Sequence, residues 1–280
     1  MAGEVTRPVL RWHGGKWMLA PWIIEHLPPH RIYVEPFGGA ASVLLRKPRS
    51  YAEVYNDLDR DVVVLFRILR NEERAAELVR QLRNTPFARE EFKDAYEVPY
   101  KAMDRARSLV IRSFMGFGSN GHARPTGFRS NSNRSGTTPA RDWMNYPDAL
   151  ETIIERLRGV VIENNTAAAI ISDHDTPETL FYVDPPYVPA TRDKGADYRH
   201  EMSDSDHVAL LERLQSVEGM VVLSGYPHPL YDEALSGWRR VERDALADGA
   251  RPRTEVLWIN PQAARALAAN AHPDLFGEAA

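Results

Sequence analysis

The feature that most constrains this chain is a run of five residues, Thr179-Leu180-Phe181-Tyr182-Val183, cut short by Asp184-Pro185-Pro186-Tyr187. Aliphatic, aromatic and β-branched residues without a charge read as a buried strand. Neither proline has a backbone N–H, and each disfavours helix at the residue before it, so the chain must leave the sheet in an extended turn. That turn presents the acceptor oxygens of Asp184, the carbonyl of Pro185 and the flat face of Tyr187. Such a set at a strand's carboxyl end suits a planar ring bearing an amino group, and in α/β sheets ligands bind at that end.

Further strand candidates recur at 31–37, 51–57, 160–164 and 220–226, with a final antiparallel pair at 238–242 and 255–260 around a loop at 244–253. Helical stretches separate most of them. The expected fold is therefore α/β, a seven-stranded, mixed but mostly parallel open sheet. Glu35, Phe37, Gly38, Gly39 and Ala40 lie where the first strand turns into a helix. A strand, a turn of small residues and a helix let a ligand touch backbone amides at the helix start. The spacing is not Gly-x-Gly-x-x-Gly, which argues against a dinucleotide. Asp57 closes the second strand about 20 residues after these glycines, where an acid commonly accepts hydrogen bonds from ribose hydroxyls. A plain helix cap is the alternative, and Asp57 gains weight from Glu35 and the glycines. Near the N-terminus, Gly14 and Gly15 allow close backbone approach, so that Trp12 and Lys16 can reach into a pocket. The phosphate-loop spacing is missing there, and Trp17 stands where Ser or Thr would hold magnesium.

Residues 61–115 read as helical, and no strand is expected before Val160. A parallel crossover needs only one helix, so the excess marks an insertion. The expected division is a discontinuous catalytic domain at 1–66 and 147–280, with an inserted recognition domain at 67–146. Within 105–141 there are seven arginines and no Asp, Glu or Lys, a charge of +7 in a chain whose net charge is -4. Between 116 and 138 the chain is rich in Gly, Ser and Asn, with Phe117 and Phe128 interspersed. Arginine forks read guanine edges or pair with phosphates, asparagine pairs with adenine, and aromatics wedge between bases. A solvated Gly/Ser loop is the plainer alternative. The unbroken absence of acids favours nucleic acid, with Arg112, Asn120, Arg124, Arg129 and Arg134 as candidate contacts. Residues 188–202 read as a flap over the site.

The chain contains no cysteine, which excludes disulfides, thiolate zinc sites and cysteine nucleophiles. No apolar run approaches the roughly 20 residues of a membrane span. The N-terminus lacks the apolar core of a signal peptide, so a cytoplasmic protein is expected. Ser172-Asp173-His174-Asp175 reads as a solvated turn rather than a metal site, because adjacent residues do not share a face.

Taken in order, Arg-Trp-His-Gly-Gly-Lys (11–16), Val-Glu-Pro-Phe-Gly-Gly-Ala (34–40), Tyr-Asn-Asp-Leu-Asp (55–59), the insertion and Asp-Pro-Pro-Tyr (184–187) resemble the Dam-like DNA adenine-N6 methyltransferases. The resemblance covers nearly the whole chain. The four-residue motif alone is shared with RNA and protein-glutamine methyltransferases, and a non-catalytic DNA-binding protein would need only the basic insertion. The resemblance implies a Rossmann-like class I methyltransferase fold, S-adenosyl-L-methionine as methyl donor, and a flipped adenine in double-stranded DNA as acceptor, with no metal. By position it implies that Trp12, Lys16, Glu35, Phe37, Gly38, Gly39, Ala40, Asp57 and Asp184 form the cofactor pocket. Asp184, Pro185, Pro186 and Tyr187 would hold the target base. The 116–138 segment departs from the residues with which well-known members read GATC, so that specificity is not carried over.

Overall fold

The computed structural model describes residues 4–97, 99–121, 124–131, 136–192, 198–247 and 251–271. Its strands are β1 (Ile32–Glu35), β2 (Ala52–Asn56), β3 (Val160–Glu163), β4 (Thr179–Val183), β5 (Met220–Gly225), β6 (Arg239–Ala247) and β7 (Arg251–Ile259). They form one seven-stranded sheet in the order β3-β2-β1-β4-β5-β7-β6. The pairs β3–β2, β2–β1, β1–β4 and β4–β5 are parallel. β7 runs antiparallel between β5 and β6. The final hairpin is longer than the sequence pattern indicated. Its pairing continues to Ala247↔Arg251, so most of the expected loop at 244–253 is strand.

The helices are α1 (Ala20–Glu25), α2 (Ser42–Arg46), α3 (Arg60–Leu69), α4 (Glu72–Arg83), α5 (Arg89–Asp94), α6 (Ala102–Met115), α7 (Pro139–Leu157), α8 (Ala167–Asp173), α9 (Asp204–Gln215), α10 (Pro229–Ala234) and α11 (Pro261–Ala271). Alternate strand residues point to opposite faces, and the two faces make two cores. Tyr33, Tyr55, Leu180, Tyr182 and Val222 join α1, α2, α3, α6 and α7 on one side. Val34, Val54, Phe181, Val183 and Leu223 join α8 and α9 on the other. Burial on both faces explains why these strands are almost wholly apolar.

The insertion is not set apart by a core of its own. Leu78 and Leu82 of α4, Leu109 and Phe114 of α6, and Trp143 and Tyr146 of α7 belong to the same apolar cluster as Tyr33 and Tyr55. Both expected domain boundaries fall inside helices, at 66/67 in α3 and 146/147 in α7. Pro147 lies within α7 rather than opening it, and the helix begins where Thr138 caps the Arg141 amide. The Tyr146 hydroxyl donates to the Val9 carbonyl at 2.7 Å, tying α7 to the N-terminal segment. Among the described residues, no helix is long and apolar enough to cross a membrane.

The chain runs from β1 outward to β2 and β3, then returns to place β4 on the other side of β1. This reversal opens a crevice at the carboxyl ends of β1 and β4. Counting on from Val34↔Val54 and Val34↔Phe181, Phe37, Asp57 and Asp184 come out level, just beyond the sheet.

Candidate active site

Asp184 stands at the end of a strand whose five residues are all buried. The Ser224 hydroxyl of neighbouring β5 donates to its Oδ1 at 2.8 Å. Lys16 Nζ approaches the same oxygen at 3.0 Å. It also donates to the Gly14 carbonyl at 2.7 Å and lies 4.7 Å from the centre of the Tyr187 ring. Burial alone would depress the lysine's pKa, but the charges of Asp184 and Glu255 outweigh it and hold the ammonium above its ordinary value. Tyr187 is itself buried, with its hydroxyl donating to Glu255 Oε2 at 2.8 Å and its ring edge-on to Tyr226 at 4.5 Å. Carboxylate, ammonium and aromatic face thus meet at one point, with an amine nitrogen already on the carboxylate.

On the other side of the crevice, Glu35 is 2% exposed. Its Oε1 accepts from the Tyr33 hydroxyl and the Leu44 amide, both at 2.7 Å. Burial pushes its pKa up to about 7 against those two donors. Asp57 accepts from the Gly39 amide and the Asp59 amide at 2.7 Å each. Burial raises its pKa to about 6, again opposed by the two amides. One carboxylate therefore locks the β1–α2 turn to the end of β2 and still faces the crevice. The glycines of that turn serve the protein's own packing. A Cβ on Gly38 would lie 2.2 Å from the Tyr55 ring, and one on Gly39, at φ 48°, would lie 2.7 Å from Trp12 Nε1. Both glycines also line the cavity, so their small size makes room for Tyr55 and Trp12 and leaves the turn facing the crevice.

One cavity is lined by Trp12, Lys16, Glu35, Phe37–Ala40, Asp57 and Asp184–Pro186. Thus the expected cofactor residues converge. Tyr187 does not line it, because its ring is covered by Lys16 and Tyr226. Tyr198, Arg199 and His200 do, and the strand pattern did not single them out. Arg199 donates to Asp59 Oδ1 at 2.8 Å and to Asp61 Oδ2 at 2.9 Å. The Tyr198 ring meets His13 edge-on at 5.4 Å. This is the described part of the expected flap; residues 193–197 lie outside the described residues. Glu255 and Ser224 also escaped the sequence argument, since each reaches the motif from another strand.

In the insertion the candidates separate. Arg112 is 6% exposed, donates to the Ala95 carbonyl at 2.9 Å and reaches Asp61 at 3.4 Å. Its place as a DNA contact is corrected accordingly: in this structure its guanidinium joins α6 to α3 and the chain after α5. Arg129 also turns inward, donating to the Phe114 carbonyl at 3.0 Å. Asn120 is buried, and Arg124 is exposed. Arg134 lies outside the described residues. Of the two candidate wedges, Phe128 packs against Phe87 at 5.1 Å and Phe92 at 5.8 Å, whereas Phe117 is 73% exposed. A bridge between Gly116 and Phe128 pinches the base of this loop and sets the two rings in opposite directions.

The sheet order, flanking helices and crevice fit a Rossmann-like methyltransferase core. The family model for D12 class N6 adenine-specific DNA methyltransferases matches residues 12–246, and the chain belongs to that family. Curated relatives match locally. A DNA adenine methylase of Serratia marcescens is 37% identical over 65 residues, 23% of this chain and 24% of that protein. The DNA adenine methylase of Escherichia coli is 38% identical over 65 residues, 23% of each chain. That of Vibrio cholerae is 38% identical over 69 residues, 25% of this chain and 24% of its own. The matched stretch spans about a quarter of the length of these relatives.

Proposed function

We propose that this protein transfers a methyl group from S-adenosylmethionine to N6 of an adenine swung out of duplex DNA. The observation that carries this reading is the Asp184 carboxylate at the switch point, beside an acid-lined cavity and already 3.0 Å from an amine nitrogen. When bound, S-adenosylmethionine supplies an electrophilic sulfonium methyl; the amine nitrogen forms the new bond to carbon, and the electron pair of the broken bond stays on sulfur.

The cavity's donor set fits that cofactor. Asp57, half-buried, and Glu35, buried, are acceptors suited to ribose hydroxyls and to an ammonium group, and Trp12 and Phe37 give apolar walls. The raised pKa values of both acids show how much burial disfavours their charge, and so how much a hydrogen-bonding or cationic ligand would relieve. Adenine N6 is a weak nucleophile because its lone pair is delocalised into the ring. Asp184 and the Pro185 carbonyl would accept its two N–H groups, turn the lone pair toward the methyl and leave Asp184 to take the proton released. Tyr187 would stack on the base, and that face now carries Lys16, so the lysine must shift as the base arrives. Positioning and fixed charge supply the rate in such a site.

Flipping costs a few kcal/mol, which phosphate contacts and a wedging side chain can offset. Exposed Arg124 and Phe117 are suited to those tasks. The test is incubation with labelled S-adenosylmethionine and duplex DNA, followed by mapping of N6-methyladenine, with RNA and protein as parallel acceptors. Label in DNA, lost in Asp184→Ala while DNA binding persists, is the expected result. Label in RNA or protein alone would refute it.

A further inference from the structure

The last hairpin delivers a carboxylate to the motif from the far side of β5. Because β7 runs antiparallel, Gly225↔Val256 places Glu255 level with Tyr226, one residue beyond the end of β5. The pairing Val183↔Leu223 places Tyr226 level with Pro186. Two strand registers therefore bring Glu255 beside the Asp184–Tyr187 turn. It is 7% exposed, and its Oε2 accepts from the Tyr187 hydroxyl at 2.8 Å. A carboxylate is costly to bury unless paired or hydrogen-bonded. Core packing would be served as well by an apolar residue, as at Val256 and Leu257 beside it.

The contact has a mechanical consequence. A tyrosine ring held only at Cβ can pivot about its side-chain torsions. Held also at the para hydroxyl, its long axis is fixed at both ends, and the edge of Tyr226, 4.5 Å away, limits rotation of the ring about that axis. A reacting group must be held within about 10–20° and half an ångström of its productive geometry. We infer that Glu255 is a positioning residue for methyl transfer, fixing the long axis of the Tyr187 ring through its hydroxyl, with Tyr226 limiting its rotation, so that a stacked base presents its amino group to Asp184. This rests on the methyltransferase reading and names a residue outside the motif that the motif depends on.

Misalignment of a bound base slows the chemical step more than it weakens binding. Loss of a hydrogen bond to a charged group corresponds to a fall in kcat of roughly tenfold to a hundredfold. The experiment measures kcat and KM on duplex DNA for wild type, Glu255→Ala, Glu255→Gln, Tyr187→Phe and the Tyr187→Phe/Glu255→Ala double variant. S-adenosylmethionine binding is measured on each by calorimetry. Glu255→Ala should lose kcat with both KM values held within about threefold, a split that loss of folded protein alone would not give. Glu255→Gln, which keeps a carbonyl for the hydroxyl, should recover most of the loss. The double variant should be no slower than the slower single variant, since both act through one contact.

Full kcat in both Glu255 variants, an effect confined to KM, or losses that multiply in the double variant would each overturn the inference. Should Glu255→Ala not fold, Tyr187→Phe decides alone: it removes the same contact from the other side, and full kcat in that variant would overturn the inference. A wild type that binds S-adenosylmethionine but methylates no DNA overturns the functional reading and this inference together; an active wild type with unimpaired Glu255 variants overturns only this one.

Discussion

Replacing Glu35 by glutamine should make the protein more stable at neutral and alkaline pH, and poorer at holding its cofactor. Glu35 is 2% exposed and its pKa is pushed up to about 7 from an ordinary 4.5. That rise of about 2.5 pH units corresponds to roughly 3 kcal/mol disfavouring the ionised carboxylate, after the Tyr33 hydroxyl and Leu44 amide have offset part of the cost of burial. Below pH 4.5 the side chain is neutral in both folded and unfolded chains and contributes nothing to the difference. Between 4.5 and about 7 the folded protein binds the proton more tightly than the unfolded chain, so stability falls as pH rises; above about 7 the loss is complete. Glutamine keeps a carbonyl for the same two donors and cannot ionise. Glu35→Gln should therefore match wild type near pH 4 and exceed it by up to roughly 3 kcal/mol near pH 8, read from urea unfolding at a series of pH values. Subtracting the two curves removes every other titrating group. Parallel curves across that range would refute the reasoning, because they would mean that Glu35 pays no burial penalty. If the anion is what a cationic cofactor group meets, the same variant should bind S-adenosylmethionine roughly tenfold or more weakly, a trade of function against stability.

Three further substitutions probe other parts of the molecule. Glu53 is buried between Lys47 Nζ at 2.8 Å and Arg156 Nη1 at 2.6 Å, so Glu53→Ala should cost about 3–5 kcal/mol by stranding two cations; a change below about 1 kcal/mol in urea unfolding, the level of an exposed pair, would show the cluster to be solvent-screened. Phe117→Ala removes a side chain that is 73% exposed; it should slow methylation of fully paired duplex several-fold more than of duplex mismatched at the target, where flipping is cheaper, and equal slowing of both substrates would exclude a wedge. Arg199→Ala breaks the bonds to buried Asp59 and Asp61 and should speed cofactor dissociation in stopped-flow; an unaltered off-rate would mean that residues 198–200 do not retain the cofactor.

Much of this could be read from local pattern. Strand runs such as 179–183 and 220–225 are apolar because both faces of the sheet are covered, and prolines or glycines end them where the backbone must turn. Strand ends at the sheet's carboxyl edge gather by topology, so Glu35, Asp57 and Asp184 could be named together before any coordinate was known. Long-range partners could not. Arg112 and Arg124 have the same chemistry and lie in the same acid-free stretch, but one is buried against Asp61 on α3 and the other is exposed. Phe117 and Phe128 were indistinguishable as wedges until the Gly116–Phe128 bridge turned one outward and the other into the core. The helical insertion stands out in sequence because it exceeds the single helix a parallel crossover needs, and its apolar faces close the same core as the sheet.

The motif at the end of β4 shows both sides. Its chemistry, a carboxylate, two rigid prolines and a ring, is written in four adjacent residues, because turn geometry and hydrogen-bonding capacity are properties of short stretches. Its electrostatics belong to the fold. Lys16 reaches Asp184 from the N-terminal segment, Ser224 from the next strand, and Glu255 reaches Tyr187 through an antiparallel return. Strand register sets the last two distances, and a slip of one residue would turn those side chains to the opposite face of the sheet.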